Sequence, residues 1–317
     1  MNREHNSNTG FPTLSGVIAV LFAAILWGTT GTSASFTTGV SPLAIGAVAM
    51  GGGGLLQALL AIKTIVRQRR QLLRHPGYLL SGALSVALYP LAFYSSMAYA
   101  GIATGTVVAI GSAPLLTAVI EYLTEKQPLS RQWALGAALG IAGIALLSLS
   151  EGQVSAGTSA VHFYTGIALA LVAGLTYALY SWSARQLMQQ QIPSAAAMGA
   201  TFGGGAILLA PVLWVTGAPL LATPLNLAVA AYMVLIPMFL GYFCYGFGLS
   251  RIRASTAITL TLAEPLVAAL LAVLLVGEPM TLAAGGGIGL IILCLLVTSL
   301  PARVFRRRPT VTETATG

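Results

Sequence analysis

The chain contains no aspartate, and its other charges are few: 15 Lys+Arg and 7 Asp+Glu in 317 residues, or 7% charged. A soluble domain carries about 25%. That shortage excludes a soluble enzyme, because so few charges cannot clothe a water-facing surface of this size. Cysteine is nearly missing as well. Cys244 and Cys294 both sit inside apolar stretches, where they read as small buried hydrophobes and not as a disulfide framework. The histidines, His5, His75 and His162, lie outside the apolar runs or at their edges. None stands beside a cysteine or a pair of acids at ligand spacing, so no metal site and no cofactor is expected. What fills the chain instead is 56% hydrophobic residues, with a mean hydropathy of +0.86.

This is the composition of a polytopic membrane protein. The apolar runs are long and lack two-residue alternation, which selects spanning helices over barrel strands. Glycine, proline and charge punctuation gives ten spans, at residues 14–36, 42–63, 77–97, 102–123, 132–150, 163–184, 195–216, 226–249, 255–276 and 282–300. Lysine and arginine collect in cytoplasmic loops, and all fifteen fall on one side of this arrangement. Arg3 precedes the first span, five lie in the linker at 63–75, and Lys126, Arg131, Arg185, Arg251 and Arg253 occupy later turns. Four more follow Pro301. Both termini are therefore expected in the cytoplasm. The net charge of +8 is this topogenic asymmetry facing anionic lipid, and it calls for no nucleic-acid partner, since no basic face carries stacking aromatics. The first thirteen residues are polar and the next run is full spanning length, which argues against a cleaved signal peptide.

A repeat lies under the spans. At an offset of 151 residues Pro42 meets Pro193, Gly52 to Gly54 meet Gly203 to Gly205, Tyr94 meets Tyr245, Pro114 meets Pro265, Pro128 meets Pro279 and Gly136 meets Gly287. Each half holds five spans, and an odd number makes the second half enter the membrane from the opposite side. The basic linker 63–75 accordingly matches the uncharged WVTGAPLLATPLN. Inverted repeats of this kind serve alternating access in secondary transporters. The expected organisation is an all-α integral membrane protein: tail 1–13, first five-helix repeat 14–150, linker 151–162, second repeat 163–300, and basic tail 301–317.

AAILWGTTGTSASF in the first span, together with the pair AYAGIATGTVVAIGSAPLLTAVIEYLTEKQPLS and ASTAITLTLAEPLVAALLAVLLVGEPMT, resembles the drug/metabolite transporter superfamily and its EamA-type ten-helix members. Among these the chain looks most like the YddG aromatic amino-acid exporters. The resemblance implies a basket-shaped bundle around a central cavity, lined by spans one, three, four, six, eight and nine, with five and ten peripheral. It also implies export of small amphipathic metabolites, foremost aromatic or hydrophobic amino acids, from a bacterial inner membrane. Another metabolite or a drug-like cation is the alternative substrate.

Candidate cavity residues are aromatics set deep in the spans: Trp27, Tyr89, Phe93, Tyr94, Tyr99, Tyr177, Tyr180, Tyr242 and Tyr245. A buried hydroxyl seeks a partner, either a neighbouring helix or a bound solute, and rings with hydroxyl tips suit a flat amphipathic molecule. Trp182, Phe239 and Phe243 lie in the same spans. Tyr78, Tyr122, Trp133, Tyr164, Trp214 and Tyr232 sit nearer span ends and read as interfacial belt residues. The GGGG at 51–54 lacks the Gly-Lys-Ser/Thr of a phosphate loop and reads as close helix contact, as does GGGIG at 285–289. No nucleophile and base converge, which leaves an intramembrane enzyme a remote reading. Pro90, Pro114, Pro237 and Pro265 are candidate helix breaks or gates.

One residue stands apart. Glu264 is the only ionisable group in TLTLAEPLVAALLAVLLV, where a charge is costly and normally functional. Pro265 cannot donate to the carbonyl of Thr261, and a bland role for Glu264 beside that break is conceivable. However, the matching Pro114 follows Ala113, so the break does not itself demand a carboxylate. Glu264 is expected either to exchange a proton or to anchor a substrate ammonium. Glu121, Glu125 and Glu278 are expected at the surface or at a gate.

Overall fold

The computed structural model describes residues 14–126, 128–150, 160–271, 274 and 282–299. The two tails, residues 151–159, Glu278 and Pro279 lie outside the described residues. Among the described residues all regular structure is helical. The first half contains α1 (Leu14–Gly28), α2 (Thr30–Ser35), α3 (Pro42–Arg74), α4 (Pro76–Ala100), α5 (Ile102–Glu125) and α6 (Arg131–Ser150). The second contains α7 (Ala160–Gln189), α8 (Ser194–Thr216), α9 (Pro224–Met233), a π-helical segment Val234–Gly241, α10 (Tyr242–Leu249), α11 (Ala254–Leu260), α12 (Ala263–Leu271) and α13 (Leu282–Ser299).

Eight helical stretches are long and apolar enough to cross a bilayer, and two more, Arg131–Leu146 and Gly285–Ser299, are apolar but shorter. These two correspond to the expected fifth and tenth spans. Large apolar side chains point outward along the bundle, with Leu60 67% and Ile207 74% exposed, while the interior is rich in alanine. That inversion suits lipid outside and close helix approach inside.

Local sequence sets several boundaries. Ser41 accepts a hydrogen bond from the Ala44 amide ahead of Pro42, and Thr223 does the same for Asn226 ahead of Pro224. Each pair is an N-cap followed by a proline whose missing donor costs nothing in the first turn. The basic stretch 63–75, expected as a linker, is instead the end of α3, which runs unbroken to Arg74. Leucine, glutamine, lysine and arginine are good helix formers, and only Pro76 stops them.

The most extensive helix pairs are α3 with α8, α4 with α7, and α6 with α13. Glycine sets the first crossing: a Cβ on Gly54 would stand 2.5 Å from the Phe202 carbonyl oxygen, and one on Gly203 2.6 Å from the Ala58 Cβ. GGGIG at 285–289 behaves differently. A Cβ on Gly285 or Gly289 would meet nothing, and the tight approach there is between Gly143 and the Gly287 carbonyl. Gly54→Leu should therefore destabilise the fold by about 1–3 kcal/mol through overpacking, whereas Gly285→Ala should not. Thermal unfolding of the two variants in detergent checks this.

The prolines differ in effect. α4 and α5 continue through Pro90 and Pro114. Pro237 lies in the π-helical segment, where the widened turn absorbs its missing donor. Ahead of Pro265 the helix breaks at Thr261 and Leu262, between α11 and α12. The Thr261 carbonyl, expected to be left free, accepts from the Glu264 amide at 2.9 Å. Tightening to a three-residue turn supplies the partner that Pro265 cannot.

Candidate functional site

Hydrogen bonds gather the helix ends into two groups. At the basic end meet the start of α11 and the finishes of α3, α5, α7 and α10. At the far end Asn226 bridges to the backbone of Thr38, and Tyr99 stacks on His162. Between them a cavity is lined by Trp27 of α1, Tyr89, Pro90, Phe93 and Tyr94 of α4, Tyr177 and Tyr180 of α7, Tyr242 of α10 and Glu264 of α12. Thr30, Gly46, Ala49, Met50 and Met238 complete it.

The rings form one continuous cluster. Tyr89 stacks on Phe93 with centroids 5.5 Å apart and meets Tyr177 at 5.6 Å and Tyr180 at 5.8 Å. Trp27 packs against Tyr242 at 4.6 Å. Its indole N–H donates to the Pro237 carbonyl at 2.8 Å, which clamps α1 to the π-helical segment. The Tyr180 and Tyr242 hydroxyls pair at 2.9 Å, and the Tyr177 hydroxyl pairs with Thr261 at 2.8 Å. The second bond ties α7 to the break that carries Glu264. Close packing of α1 on α12 fixes the break from the other side, because a Cβ on Gly28 would lie 2.9 Å from the Glu264 carbonyl oxygen. Among the described residues, no hydrogen bond or ion pair reaches the Glu264 carboxylate.

Toward the basic end the cavity is closed. Tyr245 is fully buried and donates to Ser181 at 2.9 Å. Beyond it Glu121, expected at the surface or a gate, is wholly buried: it pairs with Arg253 at 3.1 Å and accepts from the Ser255 hydroxyl at 2.6 Å and the Ser255 amide at 3.2 Å. Glu125 accepts from Gln186 at 2.7 Å, and Arg185 donates to the carbonyls of Leu249, at 2.6 Å, and Ile252. These bonds lace α5 and α7 of the first and second halves to α10 and α11.

Other sequence candidates lie elsewhere. Tyr99 is 41% exposed at the far end, and Tyr245 stands behind Trp27, 5.3 Å ring to ring. Pro114, Pro237 and Pro265 shape helices without lining the cavity. Phe239 and Phe243 line an outward groove with Phe247, and Trp182 meets Tyr78 edge-on. Among the expected belt residues, Tyr122, Tyr164 and Trp214 are exposed, but Trp133 is buried and donates to Thr259 at 3.0 Å. Tyr232 pairs with Thr29 at 2.8 Å. Sequence reasoning missed Thr30, Met50, Met238 and Thr261, which carry no signal distinct from ordinary span residues. Gly46 had one: Tyr94 fills the space that its Cβ would occupy, 2.7 Å away.

An aromatic cavity with one unpaired carboxylate, inside a multi-pass helical bundle, defines a membrane carrier and not an enzyme. The chain belongs to the EamA-like transporter family, which it matches over residues 14–149 and 164–300. It is 35% identical over 285 residues to the uncharacterized transporter YwfM of Bacillus subtilis, covering 90% of this chain and 93% of that one. It is also 27% identical over 302 residues to the uncharacterized inner membrane transporter YicL of Salmonella typhimurium, covering 92% and 97%. A solved crystal structure shares the fold with a TM-score of 0.77 at 20% identity, covering 92% of this chain and 99% of its own.

Proposed function

We propose that this protein is a secondary carrier that exports small, flat, amine-bearing metabolites by alternating access of two inverted five-helix halves. The observation that carries this is the meeting of seven aromatic side chains and one carboxylate without a partner among the described residues, in a single cavity closed at its basic end. On this reading the basic end is cytoplasmic, as the positive-inside rule requires, both termini lie there, and the membrane is the bacterial inner membrane. The conformation is then outward-facing.

Packing supports the inverted repeat. The offset of 151 equates α1 with α7, α3 with α8, α4 with α9–α10, α5 with α11–α12, and α6 with α13. Under that equivalence contacts come in pairs. α4 on α7 is answered by α10 on α1, α5 on α7 by α12 on α1, and α4 on α8 by the π-helical segment on α3. α3 on α8 and α6 on α13 map onto themselves, as helices at a pseudo-two-fold axis must. Halves so related can exchange conformations and open the site to alternate sides.

Aromatic and hydrophobic amino acids, as in the YddG exporters, are one candidate substrate class, with coupled protons as the driving ion. Drug-like cations are the second, and the absence of any basic side chain from the lining favours them. The test is transport by purified protein in proteoliposomes, using labelled Phe, Trp, Thr and a lipophilic cation, with and without a pH gradient. Saturable flux of a ring-bearing solute, in excess over Thr, is expected. No saturable flux of any solute by folded protein would overturn the carrier reading.

A further inference from the structure

The charge balance of the cavity narrows the substrate class, an inference that rests on the carrier reading above. Around Glu264 stand Tyr89, Tyr94, Tyr177 and Tyr242, reached from α4, α7 and α10, with Trp27 from α1. The tyrosines are neutral at physiological pH, and among the described residues no lysine, arginine or histidine lines the cavity. An ammonium placed there meets a carboxylate and the negative faces of several rings, all of which favour a cation. A substrate carboxylate meets the opposite. It would enter a low-dielectric site with no cation among the described lining residues to pair with.

Hydroxyls can offer such a carboxylate hydrogen bonds but no compensating charge, and among the described residues only Tyr89 and Tyr94 of the lining tyrosines have theirs unengaged. Tyr177 is engaged with Thr261, and Tyr180 with Tyr242. Thr30 donates to the Trp27 carbonyl at 2.7 Å. Toward the basic end the partly exposed Arg253 is already paired with Glu121.

We infer that the cavity selects net monocations, aromatic amines or quaternary ammonium compounds without a carboxylate, over zwitterionic amino acids. The same geometry makes the site an either-or one. A proton on Glu264 and a substrate ammonium satisfy the same charge, so each excludes the other.

Three probes of one frame isolate the effect: 2-phenylethylamine, phenylalanine and 3-phenylpropionate, which at neutral pH are a cation, a zwitterion and an anion. Their binding to purified protein in detergent is measured by titration calorimetry, which avoids leakage of the amine through lipid. The amine is expected to bind on the order of 100-fold more tightly than phenylalanine, as for a charge buried without a partner, and the propionate not at all. Lowering the pH should weaken the amine. Glu264→Gln should weaken amine binding by roughly 10- to 100-fold with the unfolding temperature unchanged, so that loss of the site is not confused with loss of the fold. Phenylalanine binding as tightly as the amine, or any binding of the propionate, would overturn the inference while leaving the carrier reading intact. If none of the three binds, the inference also falls. The carrier reading falls only if the proteoliposome panel shows no saturable flux as well.

Discussion

Glu264→Gln should leave the protein as stable as the wild type and reduce transport of its amine-bearing substrate by roughly 10- to 100-fold, the worth of one charge-assisted contact. The two halves of that expectation have separate causes. Stability is indifferent because the carboxylate has no hydrogen-bond or ion-pair partner among the described residues, and glutamine keeps its shape and volume. The turn at the break is held by backbone, the Glu264 amide to the Thr261 carbonyl, which the substitution does not touch. Transport fails because the amide cannot supply a negative charge to an ammonium. It also cannot carry a proton back, so residual flux in the variant should be the same with and without a pH gradient. Unfolding temperature and flux, measured on one preparation, separate this from a structural role. A variant that unfolds several degrees lower yet still transports would show that Glu264 is packing for the break and nothing more.

Much of this architecture was open to reading from the sequence because lipid imposes simple rules. Span length follows from bilayer thickness, and most of the expected spans are long apolar helices in the structure. The rings that meet at the cavity, Trp27, Tyr89, Phe93, Tyr94, Tyr177, Tyr180 and Tyr242, were visible as aromatics too deep for an interfacial belt. Depth alone, however, could not separate them from Tyr245, which is equally deep but turned against Ser181. Nor could it show that Trp133, at a span end, is buried against Thr259. Such distinctions depend on helix rotation, which small residues at the crossings decide. The course of α3 beyond residue 63 was missed because charge marks a loop in hydropathy while leaving helix propensity intact. The fate of Thr261 was missed for a related reason. A proline announces a lost hydrogen bond but not whether the chain tightens, widens or runs straight on, and Pro265, Pro237 and Pro114 do each of these in turn.

The largest effect on stability should come from Glu121→Ala, at about 3 kcal/mol, because it leaves the buried Ser255 hydroxyl and amide without their acceptor and the partly exposed Arg253 without its counter-ion. Glu121 is wholly buried and holds three donors, all of them on the first turn of α11 or just before it. No other acid among the described residues does this: Glu125 is met by Gln186 alone. If the cost is that of an uncompensated cation, removing it as well should recover part of the loss. Arg253→Ala alone should cost less than Glu121→Ala, since Glu121 retains Ser255, and the double variant should be more stable than the sum of the two single losses predicts. Thermal unfolding of the four proteins in detergent gives the coupling directly, and additive losses would mean that the pair contributes nothing beyond its separate hydrogen bonds. The same bonds have a kinetic consequence. They join α5 to α11 at the basic end, which on the proposed reading must open for the cavity to reach the cytoplasm, so a carrier that alternates would have to part them in every cycle. Glu121→Gln keeps the volume and much of the hydrogen bonding while removing the charge attraction. It should therefore weaken the closed end by less than Glu121→Ala and shift the protein toward the state open at its basic end. Cysteine labelling at the far side of the cavity, for instance at Thr30→Cys, should then slow relative to the parent, whereas unchanged labelling would separate the ion pair from the opening of the carrier.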